Sequence, residues 1–118
     1  MSVQVDVWLR GTDVATTATL ENMAEPPASW GDADVKRLLE GMLQTMHRLK
    51  HRSEDDIPVS LRGLSWIVNP FEEGGVVLAV EITLGAVVAG PFDIDKAALE
   101  LMIARVLQQP SVPPPVVH

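Results

Sequence analysis

The sequence predicts an α+β domain, an antiparallel sheet of four to five strands with two helices in the order β-β-α-β-β-(β)-α. Three observations lead there. Val3, Val5, Val7 and Leu9 alternate with Gln4, Asp6 and Trp8, the period of a strand with one buried face. Val35, Leu38, Leu39, Met42, Met46 and Leu49 recur in steps of three and four, the period of an amphipathic helix. Residues 60–68 and 76–84 return to period 2.

The elements follow in order. After the opening strand, Gly11 to Asp13 reads as a turn, and the Thr-rich VATTATL, Val14 to Leu20, as a second antiparallel strand or an irregular crossing. Pro26 and Pro27 lack amide donors and fix φ, so Glu21 to Gly31 is a loop, with Trp30 expected to pack on the first turn of the helix behind it. That helix runs from Asp32 to Lys50, capped by Asp32 or Ser29. Its two methionines lie in the apolar stripe as core filler, and its basic end suits the negative pole of a helix C-terminus. Pro58 turns the chain to extended geometry. Two strands follow, joined by NPFEEGG, in which Gly74 and Gly75 tolerate positive φ, and a meander is the simplest connection. GAVVAGPF, Gly85 to Phe92, either extends the second of these or forms a strand of its own. A last helix spans Asp93 to Gln108, with Asp93 as cap, Asp95 near its positive pole and Lys96 paired with Glu100. One domain, residues 1–109, is expected, with a flexible Pro-rich tail over 110–118.

Composition narrows the function. Sixteen acidic against nine basic residues give a net charge of -7, which opposes binding to a phosphate backbone, and no RNP-like pattern flanks the aromatic residues. No nucleic-acid partner is expected. Cysteine and tyrosine are absent, which removes thiolate nucleophiles, Cys-ligated metals and a tyrosine proton donor. Phosphate-cradling glycine motifs and the GxSxG elbow are also missing. No run of 18 uncharged apolar residues occurs and MSVQVDVWLRG has no signal-peptide pattern, so a cytoplasmic chain with no membrane partner is expected.

Two clusters invite a chemical reading. His47 and His51 in HRLKHRSEDD lie one turn apart on a helix, a spacing at which two imidazoles can share a metal, with Glu54, Asp55 and Asp56 following. The glutamate of HExxH is missing and no third ligand has a marked position, so neither a metal nor another cofactor is expected. Glu81 interrupts VVLAVEITL. If a helix or a subunit covered it, Glu81 with Trp66 and Arg62 could line a small-molecule or enzymatic site, provided the strands pair in a suitable register.

The expectation that the pattern carries furthest is a non-catalytic module that pairs with itself or with another protein. In the last helix Leu99, Leu101, Met102, Ile103, Val106 and Leu107 span more than one face, and Trp8, Val77 and Ala79 stand on the outward side of their strands. These residues form the expected interface. The competing arrangement buries the large side chains internally and turns Ala97 and Ala104 outward.

Overall fold

The computed structural model describes residues 2–21, 23–51 and 59–108. They form strands β1 (Val3–Leu9) and β2 (Thr16–Leu20), helix α1 (Asp32–His51), strands β3 (Ser65–Pro70), β4 (Val76–Ile82) and β5 (Gly85–Phe92), and helix α2 (Lys96–Gln108), with a 3-10 turn at Pro27–Ser29. The expected α+β order is found. The strands make one antiparallel sheet in the order β2-β1-β5-β4-β3. VATTATL is thus a strand from Thr16 onward, on one edge. GAVVAGPF is a full strand of its own, and it sits at the centre of the sheet between β4 and β1.

Each strand divides its residues between two environments. Val3, Val5 and Val7, Val76, Leu78 and Val80, Val87 and Ala89, and Val68 are buried beneath the helices. Against them lie the buried residues of α1, Val35, Leu38, Leu39, Met42, Leu43 and Met46, and those of α2. The apolar stripe read from the sequence is therefore the core, and both helices cover the same face of the sheet. Trp30 joins this core, its indole N–H donating to the Ala24 carbonyl at 2.9 Å and its ring meeting Phe92 edge-on at 5.0 Å. Gly85 lets β1 and β5 close on each other. Its φ is +152°, and a methyl group there would overlap the Trp8 carbonyl.

The helix ends differ from the sequence reading in a consistent way. Neither Asp32 nor Ser29 caps α1; the Gly31 carbonyl accepts from the amides of Asp34 and Val35, and the Asp34 carboxylate reaches back to the Gly31 N–H at 3.0 Å. Asp32 is left free to accept a forked hydrogen bond from Arg105 of α2, with Arg105 Nη2 at 2.8 Å from Oδ1 and Nε at 3.0 Å from Oδ2. This bond, opposed by partial desolvation and aided by charge attraction, holds the Asp32 carboxyl below its ordinary value and raises Arg105. At α2 the helix starts three residues later than expected. Asp93 stays outside it and Asp95 is the cap, accepting from the Ala98 N–H at 3.0 Å. The Lys96–Glu100 pair forms as expected at 3.0 Å.

Candidate interaction surface

The sheet face away from the helices is uncovered among the described residues. Strand register fixes which residues share it. One row across the strands runs Trp8, Ala86, Glu81, Ser65, and the next runs Thr17, Asp6, Val88, Ala79, Ile67. Trp8 is 38 % exposed and Ile67 53 %, while Ala86, Val88 and Ala79 are half-buried between them. A contiguous apolar strip therefore crosses four adjacent strands. Its polar border is set by hydrogen bonds. The Thr17 hydroxyl donates to Asp6 Oδ1 at 2.8 Å, and Arg10 Nε donates to the Thr83 carbonyl at 3.0 Å at the end of the sheet. Beside the strip, Ser65, Ile67, Ala79, Glu81 and Ala86, with Trp66 and Val80 between them along β3 and β4, line a shallow depression of about 300 Å3.

The helix residues expected at an interface are divided. Leu99, Met102, Ile103 and Val106 are buried in the core of the same chain, Leu107 is half-buried against it, and Leu101 alone projects, 57 % exposed. Ala97 and Ala98 face outward and Ala104 is half-exposed. Two helices packed side by side over one sheet give α2 two surfaces to contact, α1 and β3, which accommodates its wide apolar arc without a second molecule. Trp8 is where the sequence placed it, on the outward side of β1. The sequence reading did not include Ala86, Val88 and Ile67 in the surface. Their period-2 spacing was visible, but the lateral pairing that joins them to Trp8 was not.

Of Glu81, Trp66 and Arg62, the first two border the same shallow depression and Arg62 does not. Glu81 pairs with Ser65 on the open face, whereas Trp66 pairs with Val80 and packs against the core from the helix side. Arg62 precedes β3 in an exposed turn, its amide donating to the Ser60 hydroxyl. A strand displays alternate residues on opposite faces, so although Trp66 and Glu81 both border the shallow depression, their side chains point to opposite sides of the sheet.

The His47 and His51 rings lie nearly parallel, 18° apart, with centroids separated by 6.0 Å, and His47 Nδ1 is buried with no hydrogen-bond partner. Among the described residues no group of three potential metal-binding side chains occurs; Glu54, Asp55 and Asp56 lie outside those residues, as does the 110–118 tail. A second concavity, of about 290 Å3, lies between β2 and α1, where Glu21, Arg37, Gln44 and Arg48 form its wall. Its basic side chains are engaged within the protein, Arg48 Nη2 donating to the Thr45 hydroxyl at 3.2 Å. No helix among the described residues is long and apolar enough to cross a membrane. In comparison with known proteins, no family model matches the chain, and neither a curated protein nor a solved structure matches it.

Proposed function

We propose that this chain is a non-catalytic self-associating module, and that the open face of its sheet packs against the same face of a second copy. The observation that carries this reading is the one-sided cover of the sheet, which leaves Trp8, Ala86, Val88, Ala79 and Ile67 as one apolar strip. Scattered exposed side chains such as Val14 and Phe71 are ordinary; a strip that is continuous across four strands is not. Five strands at about 4.8 Å spacing and about 3.3 Å per residue give a footprint of roughly 400 Å2 on each copy. Accessible area exceeds footprint, so such a pairing would bury about 1,000 Å2 in total, the lower bound of specific association. The affinity should accordingly be modest and the dimer concentration-dependent. A two-fold arrangement needs no partner beyond the chain itself.

Light scattering after size exclusion over a range of concentrations tests the proposal. The mass should rise from monomer to dimer. Val88→Lys, at the centre of the open face, should hold the protein monomeric, and Leu101→Lys on α2 should leave association unchanged. A folded wild-type chain that stays monomeric at every concentration removes the proposal.

A further inference from the structure

The open face carries a knob on one side of its central strand and a hollow on the other. Trp8 stands one strand from β5 in one direction, opposite Ala86; Glu81 stands one strand from β5 in the other direction, opposite the same Ala86. The hollow is centred on this second side, where the side chains at Ala79, Ala86 and Ser65 are small and Ile67 and Glu81 rise as walls. Resting on the proposal that the open faces pair, we infer that Trp8 of each copy inserts into this hollow on the other, around a two-fold axis running along β5 between the two sheets.

The register supplies the geometry. Rotation about an axis along β5 exchanges the positions of β1 and β4 and preserves position along the strands. A second copy placed this way sets its Trp8 over β4 at the level of Glu81, Ala86 and Ser65 in the first, one row from Ala79, and the reverse contact forms by symmetry. Facing sheets pack about 10 Å apart with strands within about 30° of parallel, so the large side chain of one sheet must meet small ones in the other. The indole offers the largest apolar area on the face.

Polar chemistry agrees with the fit. The Trp30 indole N–H has its acceptor in Ala24, whereas the Trp8 indole N–H has none among the described residues. Glu81 likewise has no ion-pair or hydrogen-bond partner among them. In the paired state the Glu81 carboxylate stands at the wall of the hollow that receives the ring and accepts the indole N–H. Pairing would take both groups out of water, and the bond between them replaces the ones each makes to solvent, twice per dimer.

The test is reciprocal rescue, read as the dimer dissociation constant by sedimentation or light scattering, with circular dichroism confirming that each variant is folded. Trp8→Ala removes both knobs and should weaken the dimer at least about tenfold. Ala79→Leu fills both hollows and should weaken it comparably, with Ser65→Leu, at the exposed edge, as a second way to fill them should Ala79→Leu fail to fold. An equimolar mixture of Trp8→Ala with the filled variant forms a heterodimer in which one intact Trp8 enters one open hollow and the filled hollow faces the missing ring. That mixture should associate more tightly than either variant alone, at a strength between theirs and the wild type's. If the wild type dimerises and Val88→Lys abolishes it, yet either variant dimerises normally or the mixture gains nothing, the knob-and-hollow contact is wrong while the open-face dimer stands. If the wild type never dimerises, both fall.

Discussion

The two faces of one sheet obey the same alternation and meet opposite fates. On β1, Val3, Val5 and Val7 are buried under the helices while Gln4, Asp6 and Trp8 stand on the open side. On β4, Val76, Leu78 and Val80 are buried while Val77 and Ala79 are only half-covered by their neighbours. The covered face holds valine, leucine and alanine side chains packed against the leucines and methionines of the helices. The open face mixes small apolar residues and two large ones, Trp8 and Ile67, with the polar Gln4, Asp6, Ser65 and Glu81. The first composition makes a core, whereas the second makes a shallow relief into which another surface can fit. The difference teaches that alternation alone does not say what a sheet face packs against; the sizes of the residues on each side bear on it as well.

Substitutions that ask each face to behave like the other are the sharpest tests. Leu38→Ala, beneath the sheet, should cost about 2–5 kcal/mol in urea unfolding because it leaves a cavity in packed surroundings. Gly85→Val combines a positive φ with overlap on the Trp8 carbonyl and should cost on the order of 3 kcal/mol, or prevent the β1–β5 pairing altogether. Trp30→Phe keeps the ring contact with Phe92 but strands the Ala24 carbonyl, and a loss of about 1 kcal/mol is expected. On the open face Trp8→Ala should change monomer unfolding by only about 0.5 kcal/mol. A cost near that of Leu38→Ala would mean that Trp8 belongs to the core and that the contrast between the faces is false.

The smallest effect lies at the tie between helices. Arg105 lowers the Asp32 carboxyl, so the folded state binds that proton less tightly than the unfolded state does. The resulting stabilisation is present above the unfolded carboxylate value of about 3.9 and is lost as pH falls below it through the folded value. Asp32→Asn should therefore lower the unfolding midpoint slightly at pH 7 and lose most of its difference from wild type in acid. Each copy carries a net charge of -7, so if the proposed dimer forms, raising salt from low ionic strength should tighten it by screening mutual repulsion.

Period and turn chemistry made the helices and the first, third and fourth strands legible. Helix α1 was readable because Val35, Leu38, Leu39, Met42 and Met46 keep one phase over five turns. The caps were less so, since Gly31, Asp32 and Asp34 all suit a helix start and only the presence of Arg105 from α2 decides that Asp32 serves another bond. The same limit governs the open face. Ala86 and Val88 alternate legibly within GAVVAGPF, but that they lie beside Trp8 and Asp6 depends on a pairing between the two ends of the fold. For Glu81 and Trp66 register was decisive: Glu81 falls opposite Ser65 and Trp66 opposite Val80, so the two side chains part to opposite faces.

The antiparallel pairing of Val5 with Ala89 also has a consequence in time. During synthesis β1 and β2 emerge first and can form only a hairpin, since the strand that flanks β1 on its other side is made near the end of the described chain. Until then the β1 edge is bare, and Val3, Val5 and Val7 have only α1 to cover them. A chain whose central strand arrives so late must close a long loop before its sheet is whole, which slows folding and prolongs exposure of a strand edge open to aggregation. Refolding followed by stopped flow should be slow, and a circular permutant that begins at Val59, ahead of β3, keeps β3, β4 and β5 contiguous, brings β5 nearer to β1 in sequence and should fold faster with its final sheet unchanged.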